Sequence, residues 1–181
     1  MPKLLENIRT QLLAEAQKQV AERGYAKTTI RSVADACGIA AGTVYNYFSS
    51  KEMLVASFME EAWERCLSGI RIREEADPKS YLREIYETLL DFSARYGALF
   101  ADEEAEKAFV AVFSARHRVL LDRLTLLTSP ACSGPSGGET AFAPRFVAKA
   151  FLTWAVEGVP FEALWPYLAP AVSRSSVEIF A

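Results

Sequence analysis

An all-α fold follows from three observations. Apolar residues recur with the helical period of 3.6 along nearly every segment, and no convincing period-two alternation of a strand is found. Glycines fall where such periodic segments stop, at Gly24, Gly38, Gly97 and Gly158. One helix start carries a full set of local signals: Ser49-Ser50-Lys51-Glu52 reads as a capping box, with Ser49 as cap, Glu52 reaching back, and Phe48 and Met53 spaced as a hydrophobic staple.

The elements follow in order. Helix one is expected from Lys3 to Arg23, with Leu5, Ile8, Leu12, Ala16 and Val20 on one face, and Gly24 as its C-cap. Thr28 or Thr29 can cap helix two, whose inner face is Ile30, Val33 and Ala34. Gly38 ends it, Ile39 plugs the turn, and a short helix spans Ala41 to Tyr47. The capped fourth helix is expected to continue to Glu75 through Leu54, Phe58, Ala62, Cys66 and Ile70. Asp77-Pro78 then reads as a cap followed by Pro at the first helical position. That helix carries Tyr81, Leu82, Ile85, Leu89 and Phe92 and should stop near Gly97. Acidic residues from Asp102 favour another helix start, running to Leu127. Residues 128–143 form one long loop, Pro144 opens a helix to Glu157, and Pro160, Pro166 and Pro170 should break the tail into short pieces.

A chain of 181 residues can bury a substantial core, and 51% hydrophobic with 24% charged residues is ordinary for a globular protein. No apolar run approaches the roughly 20 residues needed to span a bilayer. The N-terminal segment lacks a signal-peptide pattern, so a cytoplasmic protein with no membrane partner is expected. Cys37, Cys66 and Cys132 are odd in number and far apart, which fits buried thiols better than a disulfide framework or metal pair. The net charge of −3 argues against a nonspecific nucleic-acid coat, but residues 1–55 carry +2 and residues 56–181 carry −5. That sign contrast fits a DNA-binding head on an acidic body.

The stretch from Thr28 to Glu52 supports such a head. Reading a major groove requires a slim helix pressed in place by backbone contacts on both sides. Ala41, Gly42 and Thr43 give the third helix a slim leading edge, and the Thr43 methyl and hydroxyl suit a thymine or a base edge. Tyr45 and Asn46 face the same side or the groove wall, while Val44 and Phe48 should point into the head's core. Tyr47 can place a phenol on a phosphate, and Lys51 brings a cation to a helix N-terminus. Thr28, Thr29 and Arg31 can flank the opposite side.

These residues resemble the TetR family of bacterial repressors. The family pattern stands here as Thr29-Ile30, Val33-Ala34, Gly38-Ile39, Gly42-Thr43-Val44-Tyr45-Asn46-Tyr47-Phe48 and Lys51-Glu52, across the first 55 residues. The resemblance implies a helix-turn-helix DNA-binding domain at residues 1–52 and a helical ligand-binding and dimerisation domain at 53–181. It also implies a homodimer on double-stranded DNA with an inverted-repeat operator, released by a small-molecule effector. Thr29, Thr43, Tyr45, Tyr47 and Lys51 inherit DNA-contact roles. Two departures stand out: Ala40 replaces the usual capping serine, forgoing about 1 kcal/mol, and Ala41 lacks a polar side chain for base reading.

For the body, aromatic density after residue 80 suggests a cavity for an apolar or aromatic ligand at Tyr86, Leu89, Phe92, Tyr96, Phe109, Phe113 and Trp154, against the plainer reading of a packed core. The segment from Phe146 to Val159 is apolar nearly all round and needs cover on several sides, so Phe146, Ala150, Phe151 and Trp154 are candidates for a four-helix dimer interface. His117, between Arg116 and Arg118, reads as a partly exposed residue on a basic face. No nucleophile, acid–base pair, metal cluster or cofactor motif is evident, so an enzyme is not expected. An adaptor that keeps the head fold but works through protein contacts is the alternative, motivated by the weak basicity of the head and by Ala40 and Ala41.

Overall fold

Among the described residues of the computed structural model, which are 2–72, 77–132 and 142–172, there are eight α-helices, one short 3-10 turn and no strand. The helices are α1 (Pro2–Arg23), α2 (Ile30–Ala36), α3 (Ala41–Tyr45), α4 (Lys51–Ser68), α5 (Pro78–Phe100), α6 (Glu103–Thr128), α7 (Phe142–Val156) and α8 (Phe161–Val172). The chain forms two compact units, one of Met1–Arg65 with Arg95–Arg116, the other of Cys66–Ala94 with His117–Ala181.

In the first unit, Leu12, Ala16 and Val20 of α1 are buried together with Ile30, Val33 and Ala34 of α2 and Val44 of α3. The two turns between these helices depend on glycine. Gly24, at φ +83°, ends α1 by returning its N–H to the Val20 carbonyl. Gly38, at φ +69°, ends α2: its N–H reaches Asp35 and that of Ile39 reaches Ala34. Thr29, not Thr28, caps α2, and Ser32 completes a reciprocal capping box. Ala40 precedes α3 with no side-chain cap bond, as its methyl group dictates.

The start of α4 differs by one residue from the expected box. Ser50 is the cap, its Oγ accepting the Met53 N–H at 3.3 Å. Phe48 therefore stands too far back to staple Met53 and is buried in the core of the unit instead. The helix also stops at Ser68, not Glu75. Gly69 weakens the helix there, and Ile70 keeps its place inside by folding back, its N–H on the Leu67 carbonyl. Its four-residue spacing from Cys66 imitated a continuing helix.

Asp77 caps α5, accepting the Ser80 N–H at 2.9 Å, and Asp102 caps α6, accepting those of Glu104 and Ala105. α5 runs through Gly97 to Phe100 because Tyr96 and Leu99 on either side are buried, which offsets the roughly 1 kcal/mol glycine penalty.

In the second unit, hydroxyls bind carbonyls of neighbouring elements. Tyr81 donates to Leu127 at 2.8 Å, Thr128 to Pro144 at 3.0 Å and Tyr86 to Val159 at 2.6 Å. The expected loop is partly helical, with a 3-10 turn at Ser129–Ala131 and α7 already under way at Phe142; residues 133–141 lie outside the described set. Pro144 falls in the first turn of α7, where its missing N–H has no helical acceptor. Over the described residues that follow Pro160, the chain forms one helix, α8, despite Pro166 and Pro170. Phe161, Leu164, Leu168 and Val172 form its buried stripe, whereas Glu162, Pro166 and Pro170 line the exposed side. Each of these prolines removes one helical N–H donor, and packing of the buried stripe offsets the loss. No described helix is long and apolar enough to cross a membrane.

Candidate nucleic-acid interface

The packing of α3 decides which of its side chains remain available. Val44 faces inward and is fully buried, so Gly42, Tyr45 and Asn46 face out, with Ala41 and Thr43 half-buried beside them. Tyr45 is 56% exposed. At Gly42 a Cβ would meet nothing within 4 Å. The protein's own packing therefore does not require a glycine there, and the slim edge faces open space.

Beside this edge lies an open cleft of about 620 Å³. Thr29 and Arg31 from the start of α2 line one side, Tyr45 of α3 another, and Ser49, Ser50 and Lys51 the start of α4. It thus gathers the residues expected to flank the recognition helix. Tyr47 is half-buried next to Phe48, with ring centroids 6.5 Å apart. Thr28 is not part of this face: its side chain is buried and its hydroxyl donates to the Gly24 carbonyl at 2.9 Å. Ser49 and Ser50 were legible only as caps, yet both line the cleft.

Lys51 is held by its neighbours. Its Nζ donates to the Tyr25 carbonyl at 3.0 Å and stands 3.7 Å from the Tyr25 ring centroid. The Tyr25 hydroxyl donates to Glu52 at 3.1 Å. Burial and then the Glu52 carboxylate hold that phenol above its usual range. Hydrogen bonding, first from Ser50, keeps the Glu52 carboxyl below the usual carboxylate range. The start of α4 is thus a fixed charged corner.

The residues expected to line a ligand cavity are differently placed. Tyr86 and Leu89 are fully buried, and the Tyr86 ring packs 4.9 Å from that of Phe151. Phe92 is buried in the second unit, whereas Tyr96 belongs to the first, its hydroxyl accepting from Gln17 at 2.7 Å. The side chains of Phe109, Phe113 and His117 lie outside the described residues. Trp154 is 40% exposed on the outer side of α7. Among the expected dimer residues, Phe146 is 45% exposed and Ala150 half-buried, but Phe151 is 0% exposed and belongs to the core. Helix rotation explains this: 142, 146, 150 and 154 share one stripe, and 151 lies off it. Phe142 joins that stripe, its ring stacked 6.3 Å from Phe146. Among the described residues, no three His, Cys, Asp or Glu side chains are grouped to hold a metal ion.

Residues 12–58 match the model of the bacterial regulatory proteins, tetR family. The head of the chain carries this family's domain. The chain is 32% identical over 126 residues to the HTH-type transcriptional repressor KstR2 of Rhodococcus jostii (strain RHA1), covering 66% of this chain and 56% of that protein. The match thus spans a little over half the length of that relative. It is 27% identical over 159 residues to the HTH-type transcriptional activator FasR of Mycolicibacterium smegmatis, covering 84% of this chain and 71% of that protein. A crystal structure of BioQ with its natural double-stranded DNA operator shares the fold, at a TM-score of 0.61 and 19% identity over 91% of this chain and 96% of BioQ. The family pattern and the exposed face of α3 thus fall in the same stretch of chain.

Proposed function

We propose that this chain is a sequence-specific DNA-binding transcriptional regulator of the TetR family, a repressor that binds an inverted-repeat operator as a homodimer. One observation carries the reading: Tyr45, exposed on the helix whose edge is open at Gly42, lines a cleft together with Thr29, Arg31 and Lys51. Residues 1–52 would read DNA and residues 53–181 regulate that reading. Thr43, Tyr45 and Asn46 would address base edges from a backbone that Gly42 allows to approach closely. Thr29, Arg31, Tyr47 and Lys51 would hold phosphates on either side, with Ser49 and Ser50 at the rim. With Ala at 40 and 41, readout leans on shape and phosphates.

The Phe142–Phe146–Ala150–Trp154 stripe of α7 supports the dimer, because it leaves aromatic surface for a symmetry-related copy to cover. We further infer that a small apolar or aromatic effector, taken up by the helical body, favours a conformation that no longer spans two half-sites. A cytoplasmic location follows from this role.

The test is selection of duplexes from a random library by the purified protein at two salt concentrations. Enrichment of an inverted repeat, with affinity falling steeply as salt rises, is expected. No enrichment at low salt from folded protein would favour the adaptor that binds only proteins.

A further inference from the structure

The first unit contains a buried amide that its packing alone does not require. Gln19 lies on the inner side of α1 and is 1% exposed. Its neighbours on that side, Leu12, Ala16 and Val20, are apolar and buried. An aliphatic side chain would occupy this place with no polar group to desolvate. What the amide adds is direction. Its Nε2 donates to the Glu15 carboxylate at 2.8 Å and to the Ser32 carbonyl at 3.0 Å, while its Oε1 accepts the Ser32 hydroxyl at 2.6 Å. Both amide hydrogens and the oxygen are therefore engaged, and Gln19 grips the backbone and side chain of one residue in α2.

Ser32 passes this constraint to Thr29. The Ser32 hydroxyl oxygen accepts the Thr29 N–H at 3.0 Å, and the Thr29 Oγ1 accepts the Ser32 N–H at 3.0 Å. With its oxygen oriented by that bond, Thr29 retains its hydroxyl proton on an exposed side chain that lines the cleft. A hydroxyl so held is a hydrogen-bond donor with a preset direction, which suits a phosphate oxygen.

We propose that Gln19 is a positioning residue of the DNA interface, a buried clamp from α1 to Ser32 that sets the direction in which Thr29 presents its hydroxyl to the DNA backbone. The proposal rests on the DNA-binding reading above. It predicts that Gln19 and Thr29 act as a unit in binding, although Gln19 touches no DNA.

The test is a double-mutant cycle on the selected operator, read by fluorescence anisotropy with each protein shown by circular dichroism to be folded. Thr29→Ala in the wild type should weaken binding about tenfold, the size of one charge-assisted hydrogen bond. Gln19→Leu removes the clamp but leaves the Ser32–Thr29 capping box in place, so the variant should stay folded at the temperature of the assay. It should bind several-fold more weakly, and adding Thr29→Ala should then cost less than twofold. Gln19→Met, of similar length without the amide, provides a second version of the same cycle. A merely structural Gln19 leaves the Thr29→Ala loss undiminished in these backgrounds, which overturns the proposal while leaving the DNA reading intact. Folded wild-type protein that enriches no duplex overturns both.

Discussion

Tyr45 and Lys51 border the same cleft but are held in opposite ways, and this separates their expected effects. Tyr45 is exposed, with its side chain free to meet a base edge. Thr43→Ala and Tyr45→Ala should change which sequences are preferred, measured by repeating the duplex selection. Tyr47→Phe and Lys51→Ala should instead weaken all sequences alike, and Lys51→Ala should lower the salt slope by about one, because one cation no longer neutralises a phosphate. Unchanged affinity in all four variants would mean that α3 does not enter the groove. In the second unit, Tyr86 offers a test of packing. Its hydroxyl bonds the Val159 carbonyl, and burial pushes its pKa up to about 12. In the unfolded chain a tyrosine ionises near pH 10. Stability should therefore fall as pH rises from about 10 toward 12, because only the unfolded state releases the proton readily. Tyr86→Phe should cost about 1 kcal/mol at neutral pH and remove that part of the alkaline decline, measured by urea unfolding at several pH values.

Helix ends were the most legible feature of the sequence wherever a single residue supplied the bond. Gly24, Gly38, Asp77 and Asp102 stand at the ends where the pattern placed them. Ends that depend on packing were not legible. Ser49 and Ser50 offer the same hydroxyl, and the burial of Phe48 selects Ser50. The prolines of α8 read as breaks because proline lacks a donor, yet Pro166 and Pro170 fall on one exposed side, a fact of tertiary context. The exposed edge of α3 was legible because its small and aromatic residues are unusual on a solvent-facing helix, whereas Gln19 gave no signal, since a glutamine in α1 is indistinguishable from a surface residue until its burial is known. The Asp77 cap makes a prediction at this scale. Hydrogen bonds from Ser80 hold its carboxyl below the usual range. The stability it contributes is therefore complete above about pH 4 and is lost as pH falls through the depressed folded value. Asp77→Asn keeps a capping oxygen that does not titrate. Melting temperature measured from pH 6 to pH 2 should fall less steeply in the variant, and parallel curves would show that Asp77 does not couple to stability.

For the molecule as a whole, the decisive question is whether the α7 stripe is covered. Phe142, Phe146, Ala150 and Trp154 recur every fourth residue, and such rows form the ridges by which helices commonly interdigitate. Aromatic surface of this kind in water is unfavourable, and a second copy removes it twice over through one symmetric contact. The two phenylalanines nearest the question behave oppositely. Phe146 is 45% exposed within its own chain, so Phe146→Glu should change the melting temperature of the monomer far less than a core substitution would. In a dimer the same charge would be buried against its symmetry mate without a partner, so the assembly should dissociate. Phe151 is sealed in the core against Tyr86 and Phe161, and Phe151→Ala should cost about 3–5 kcal/mol of folding. Sedimentation velocity separates the two cases. Wild-type protein should sediment as a dimer, and folded Phe146→Glu as a monomer that also loses most of its operator affinity, because a single head engages one half-site without the advantage of a linked second. A Phe146→Glu protein that remains dimeric would place the interface elsewhere on the chain.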